Sequence, residues 1–259
     1  MSPSVATLAV AVEPGSSYAR NDYARALAEE LAIPMADQDP SADLLLWVAD
    51  DGLALRPSGS RTAVVVDFMG GRTGYRRISP GGKRGPLARA LGVHKGIRTI
   101  IDATAGLGRD AFQLAVMGCT VTSVERNRVL AVMLRDAHAR GMDRGSSTLR
   151  VVLNRLHFRW GDAREYLENL DNAKRPDAIY LDPMFPLRNT SALAKKEMRI
   201  VRDLVGDDMD AASLLDTARR VASSRVVVKR HPNCDSLAPD AIVSHEATRV
   251  CYDLFAPRP

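Results

Sequence analysis

Four short stretches carry residue types suited to holding a nucleotide-like ligand and reacting it. In Ile100-Ile101-Asp102-Ala103-Thr104-Ala105-Gly106-Leu107-Gly108-Arg109-Asp110, an apolar run ends on an acid and enters a helical pattern through a glycine turn. Gly106 and Gly108 free the backbone for close approach, and N–H groups at a helix start suit such a ligand. A turn of this kind also serves simply to pack a helix on a strand, and Thr104 replaces the first glycine of the usual trio. Glu125 closes the run Thr120–Val124 about 20 residues further on, where an acid accepts hydrogen bonds from ribose hydroxyls. The alternative for Glu125 is a surface pair with Arg126 or Arg128. Gly161-Asp162-Ala163 follows a third apolar run, where a short polar side chain and a backbone N–H read an adenine edge. Asp162 equally suits the N-cap of the next helix, and the two roles coincide in space. The fourth stretch is Asp182-Pro183-Met184-Phe185. Proline stiffens its turn, Asp182 offers an acceptor, and Phe185 offers either a flat face for a planar base or a ring for the core.

The surrounding pattern must bring these stretches together. After Ile97, strand-like runs at Arg98–Ala103, Thr120–Glu125, Leu156–Trp160, Ala178–Leu181 and Arg225–Lys229 alternate with helical runs. The helical runs are Arg109–Met117, Arg128–Arg140, Ala163–Leu170, Ala192–Leu204 and Ala211–Ala222. Strands alternating with helices of that length predict right-handed βαβ units and a parallel sheet covered on both faces. Open sheets of this class bind ligands at the carboxyl ends of their strands, and all four stretches fall there. Ala241–His245 and Arg249–Phe255 leave no room for a helix between them, which predicts a hairpin closing one edge of a mixed sheet. Before residue 70 the pattern is β-rich with one helix. Val5–Val12 and Thr62–Phe68 read as strands, Ser17–Leu31 as a helix, and Leu44–Val48 with Leu53–Leu55 as a hairpin around Asp50-Asp51-Gly52. A short helix is expected at Pro86–Leu91.

Of 259 residues, 46% are hydrophobic and 26% charged, enough apolar content for a sizeable core. No apolar run reaches bilayer-spanning length, and Met1–Val5 does not open a secretory leader, so a cytoplasmic protein without a membrane partner is expected. Cys119, Cys234 and Cys251 are widely spaced with no His cluster nearby, which predicts reduced thiols and no metal site. The net charge of +5 points weakly to an anionic partner. Its distribution says more: Arg72, Arg76, Arg77, Lys83 and Arg84 sit among glycines with Tyr75 and no acid, which favours nucleic acid over a merely solvated loop.

Together the four stretches resemble the ordered motifs of class I S-adenosylmethionine-dependent methyltransferases. From about Val64 onward the chain more narrowly resembles the bacterial ribosomal RNA small subunit methyltransferase J family. The strings that carry this are Val66-Asp67-Phe68-Met69-Gly70-Gly71, Asp102–Phe112, Val124-Glu125-Arg126-Asn127, Tyr180–Pro186, Lys195-Lys196-Glu197-Met198-Arg199 and Val226-Val227-Val228-Lys229-Arg230. The resemblance implies a Rossmann-like α/β fold, a mostly parallel seven-stranded sheet with an antiparallel C-terminal strand. A small N-terminal α+β subdomain at about 1–80 would precede a methyltransferase domain at 81–259. It implies S-adenosyl-L-methionine as cofactor and methylation of a guanine exocyclic N2 in small-subunit (16S) ribosomal RNA, free or in the assembled small ribosomal subunit.

Carried over by position, Arg109, Asp110, Glu125, Arg126, Asp162, Ala163 and Asp182 would line the cofactor pocket, joined by Asp102, Gly106 and Gly108 of the glycine turn. Asp162-Ala163 departs from the small hydroxyl residues that family members often carry there. Asp182, Pro183 and Phe185 would serve the target base. Phosphate contacts are expected from Arg72, Arg76, Arg77, Lys83, Arg84, Lys195, Lys196, Arg199, Lys229 and Arg230. For Lys195, Lys196 and Arg199 an ordinary exposed helix face is an equal reading. Three other functions share parts of the pattern: a nicotinamide-dependent oxidoreductase, an adenine N6 methyltransferase acting on DNA or RNA, and a non-catalytic RNA-binding protein. Asp182-Pro183-Met184-Phe185 has no task in hydride transfer, and no Pro-Cys dipeptide exists for cytosine carbon methylation.

Overall fold

A computed structural model describes residues 6–70, 85–185, 196–247 and 250–258. Strands β5 (Thr99–Asp102), β6 (Thr120–Glu125), β7 (Leu156–Trp160), β8 (Ala178–Leu181) and β9 (Arg225–Arg230) pair in parallel. The expected hairpin is β10 (Val243–Ala247) and β11 (Val250–Phe255), with β11 antiparallel to β9. The spatial order is β10-β11-β9-β8-β5-β6-β7, a Rossmann-like mixed sheet in which β7 is a free edge. β8, β5, β6 and β7, which lead into the four chemistry-bearing stretches, are therefore immediate neighbours.

Alternation along each strand sends side chains to two faces. Ile100, Val121, Tyr180 and Val227 join one apolar cluster, while Ile101, Val124, Ile179, Leu181, Val226 and Val228 join a second. The first face is covered by α2 (Pro86–Leu91), α3 (Arg109–Val116), α4 (Arg128–Arg144) and α5 (Ser147–Leu153). The second is covered by α6 (Ala163–Glu168) and α8 (Ala211–Val221). Helix α7 (Lys196–Val205) buries Ile200 and Val201 in the first cluster. Residues 192–195 of its expected span lie outside the described residues.

The N-terminal region builds a separate four-stranded sheet, β1 (Leu8–Val12), β2 (Leu44–Ala49), β3 (Gly52–Pro57) and β4 (Val64–Val65). Helix α1 (Tyr18–Leu31) starts as expected, with Ser17 accepting the Arg20 N–H at 3.3 Å. It connects β1 to β2, which pair in parallel. The strand expected at Thr62–Phe68 shrinks to two residues. Val66 O accepts from Arg140 Nη2 at 2.8 Å, a partner on α4, and Phe68 turns into the core against Phe112.

This sheet docks on α4. Leu53 N donates to Asp136 Oδ2 at 3.2 Å, and Arg135 forms a two-pronged pair with Glu30 at 2.7 and 2.8 Å. The first apolar cluster runs without a break from Val10, Leu46 and Leu55 to Leu130 and Tyr180. Helix α5 was not legible in the sequence. It is seven residues long, begins where Ser146 accepts the Leu149 N–H, and merely returns the chain from α4 to β7.

Candidate active site

The carboxyl ends of β8, β5, β6 and β7 open onto one cleft of about 290 Å³. From the turn after β5 come Asp102–Leu107, Arg109 and Asp110. Glu125 and Arg126 follow β6, Gly161–Arg164 follow β7, and Asp182, Pro183 and Met184 follow β8. Lys229 enters from β9, Met198, Val201 and Val205 from α7, and Asp208, Asp210 and Leu214 from the approach to α8 and its first turns.

Gly106 and Gly108, alike in sequence, do different work. Gly106 has φ +53°, and a Cβ there would meet nothing closer than Thr104 O at 3.9 Å, so the space it leaves belongs to the cleft. Gly108, expected to approach the ligand, instead N-caps α3 with φ +68°. A Cβ there would lie 2.7 Å from Leu134 Cδ2, and Gly108 is absent from the cleft wall. Its role is to bring α3 close to α4.

Glu125 is buried and uses its carboxylate to shape the cleft. Oε2 accepts the Gly106 N–H at 2.7 Å and Oε1 the Asn127 N–H at 2.8 Å. Burial pushes its carboxyl up to about 7, against the pull of those two donors. Asp102, 1% exposed, is pushed by burial up to about 8, with Asp110, Asp182 and Glu125 adding repulsion, so it is largely protonated at neutral pH. Asp162 N-caps α6, accepting from Arg164 N at 2.7 Å and Glu165 N at 3.1 Å, and lines the cleft as well. Ala163 lines it beside Asp162.

Arg109 pairs with Glu197 at 2.8 Å, tying α3 to α7 across the opening. Arg126 pairs with Asp208, and with Asp210 at 3.0 Å. Asp208 in turn takes the Met184 N–H at 2.6 Å and donates its own N–H to Met184 O at 3.0 Å. Arg126 thus holds the segment before α8 against the Asp182-Pro183 corner while forming part of the wall.

The corner itself carries the densest chemistry. Asp182 N donates to Thr104 Oγ1 at 2.6 Å, and Lys229 Nζ donates to Asp182 Oδ2 at 2.7 Å. The same ammonium donates to Asp110 Oδ2 at 2.8 Å, which also accepts the Tyr180 hydroxyl at 2.6 Å. Burial opposes the charge on Lys229, but two carboxylates within hydrogen-bond reach outweigh it and hold the ammonium well above its ordinary range.

Three sequence expectations change here. Lys229 is committed to Asp110 and Asp182 inside the cleft, where facing carboxylates compete with any phosphate. Arg230 pairs with the buried Asp253 at 2.7 Å and donates to Cys234 O at 2.8 Å, which anchors the hairpin to β9. Phe185 is absent from the cleft wall and packs, partly buried, against the second apolar cluster, whereas Met184, packed against the first cluster, lines the cleft. Lys196 and Arg199 are exposed on α7. Arg72, Arg76, Arg77, Lys83, Arg84 and Lys195 lie outside the described residues.

Residues unforeseen in the sequence include Thr104, Tyr180, Met184, Asp208 and Asp210. Tyr180 had a signal, since period-two alternation places it on the same face as Asp182. Asp208 and Asp210 had none, because their partner Arg126 is more than 80 residues away. Among the described residues no group of three or more His, Cys, Asp or Glu is placed to hold a metal ion, and Cys119, Cys234 and Cys251 form no disulfide. No helix among them is long and apolar enough to cross a membrane.

Comparison with known proteins agrees with the geometry. A family model described as "Putative SAM-dependent methyltransferase" matches residues 26–257. The ribosomal RNA small subunit methyltransferase J of Thioalkalivibrio sulfidiphilus is 45% identical over 249 residues, covering 92% of this chain and 95% of that protein. The protein of the same name from Pseudomonas savastanoi pv. phaseolicola is 41% identical, covering 92% of this chain and 88% of its own length. A crystal structure of a SAM-dependent methyltransferase from Neisseria gonorrhoeae superposes with a TM-score of 0.73 at 32% identity, covering 97% of this chain and 96% of that one.

Proposed function

Since the chain belongs to the ribosomal RNA small subunit methyltransferase J family, we propose that it transfers a methyl group from S-adenosylmethionine to the exocyclic N2 of a guanine in 16S ribosomal RNA. The observation that carries the reading is the Asp182-Pro183 corner, held by Thr104 and Lys229 at the mouth of the cleft. The reaction belongs to the bacterial cytoplasm, where ribosomal RNA is made.

The cleft fits the cofactor. The space that a Cβ at Gly106 would fill, the Glu125 carboxylate and the Asp162-Ala163 turn form a continuous wall for an adenosyl group. Glu125 would take the ribose hydroxyls, and Asp162 with Ala163 the adenine edge. Asp102, Arg109, Asp110 and Arg126 complete the enclosure. When bound, the cofactor supplies an electrophilic methyl on a sulfonium.

Everything else is asked of this chain's residues. Guanine N2 is a weak nucleophile because its lone pair is delocalised into the ring. Hydrogen bonds from N2–H to the Asp182 carboxylate or the Pro183 carbonyl localise that pair, and Asp182 or water accepts the proton. Lys229 holds Asp182 Oδ2 and so leaves Oδ1 to meet the base. Alignment of N2 with the methyl supplies most of the acceleration. The base must leave any helix in which it is paired, and Met184 offers its thioether to the exposed ring face.

The test is transfer of labelled methyl groups to small-subunit RNA from cells lacking the protein, with mass-spectrometric mapping of the product. Naked RNA and assembled subunits serve as parallel substrates. Label on guanine N2 is expected; label on adenine N6, or none, overturns the assignment.

A further inference from the structure

A second concavity, of about 590 Å³, lies between α1, α4 and the edge strand β7. Its wall carries Arg128, Arg135, His157, Arg159 and Trp160. Glu30 is the acid it exposes, and Glu30 is already taken by Arg135. Trp160 remains 60% exposed although the Arg128 guanidinium sits 4.7 Å from its ring centroid. One indole face is therefore backed by a cation while much of the side chain stays open. An open indole face at a sheet edge, with Arg128 stacked behind it and Arg159 alongside in the same groove, is suited to stacking a planar group that carries negative charge.

We propose that this groove is a second RNA-binding surface, where Trp160 stacks on an unpaired base of the substrate and Arg128 and Arg159 contact its phosphates. The inference rests on the RNA methyltransferase reading above and extends it to residues outside the cofactor cleft. Cationic charge beside a free aromatic ring matches a single-stranded polyanion better than a peptide. The position supports the same occupant. Buried Glu125 lines both the cleft and the groove, so the two concavities adjoin. From β8 to β7 is three strand spacings, about 14 Å at ~4.8 Å each, which places the stacked base away from the reacting one. Extended RNA reaching across the adenosyl side of the cleft spans that gap. The surface reads no sequence by itself; it holds the flank so that the target base lies at Asp182.

The experiment compares wild type, Trp160→Ala, Trp160→Phe and Arg159→Ala. The readouts are KM for small-subunit RNA, RNA Kd across a salt series, and cofactor Kd by calorimetry as a check on folding. Trp160→Ala is expected to raise RNA KM about tenfold with cofactor Kd unchanged, and Trp160→Phe to restore most of the loss. Arg159→Ala is expected to reduce the slope of log Kd against log salt by about one. Unchanged RNA KM in Trp160→Ala, with an unchanged salt slope in Arg159→Ala, overturns the proposal. So does a defect confined to assembled subunits, which would assign the groove to a ribosomal protein. If wild type itself methylates no RNA, the functional reading fails instead, and the two failures are distinct.

Discussion

Thr104 Oγ1 accepts the backbone N–H of Asp182 at 2.6 Å, so one hydrogen bond fastens the turn after β5 to the turn after β8. The position that departs from a glycine-rich fingerprint is the one that fixes the reactive corner. Thr104→Val keeps the shape and removes the acceptor, leaving an unsatisfied N–H at a cost of about 1–3 kcal/mol. We expect a lower melting temperature and a kcat reduced roughly tenfold, with Thr104→Ser close to wild type. Wild-type kcat in Thr104→Val would show that the corner needs no such tie.

Lys229 separates two roles that sequence alone confounds. As the partner of Asp110 and Asp182, it would govern the transfer step; as a phosphate contact, it would govern RNA affinity. Lys229→Met should lower kcat about a hundredfold or more, because two facing carboxylates lose their shared cation. The pH optimum should move alkaline, since without the ammonium Asp182 ionises at higher pH. Lys229→Arg should recover part of the rate. A variant with normal kcat but a raised RNA KM and a shallower salt slope would return Lys229 to the RNA-contact set.

Glu125 predicts a pH dependence of cofactor affinity. Its carboxyl is held near 7 by burial, and the ribose hydroxyls proposed to bind there would donate to the ionised form. Affinity should therefore rise as pH increases through about 7, and Glu125→Gln should flatten the profile; calorimetry between pH 5.5 and 8.5 reads it. Stability without ligand runs the other way. Glu125 and Asp102 both have folded values above their ordinary ones, so their contribution is full below about pH 4 and is lost as pH rises through about 7 and 8.

Phe185 offers a test of packing against stacking. Partly buried on the second apolar cluster, it should cost about 2 kcal/mol of stability on change to Ala, less than the 3–5 typical of full burial. Phe185→Leu should keep both fold and turnover. Loss of RNA turnover in a well-folded Phe185→Leu would show that the ring meets the base.

The parallel sheet was legible because its strands are short apolar runs spaced by helices, and β6, β7 and β8 match their sequence bounds. The cleft was legible where its wall adjoins the ends of β5, β6, β7 and β8, and not where α7 and Asp208–Asp210 close it. Illegible were contacts set by tertiary geometry. Gly106 and Gly108 look equivalent, yet one faces the cleft and the other faces Leu134. Lys229 and Arg230 look like one basic pair, yet successive strand residues point to opposite faces, one to Asp182 and the other to Asp253. Thr62–Phe68 has strand composition throughout, but Arg140 takes the Val66 carbonyl that a longer ladder would need.

The docking of the N-terminal sheet on α4 bears on any attempt to trim the protein. Cutting near residue 80 would strip Val10, Leu46, Leu55 and Phe68 from a shared interior and leave Leu130, Leu134 and Phe112 facing water. No minimal catalytic fragment is to be had that way. The two sheets should melt together, and damage to the seam at Glu30, Leu53 or Val66 should surface as lost solubility before it surfaces as lost chemistry.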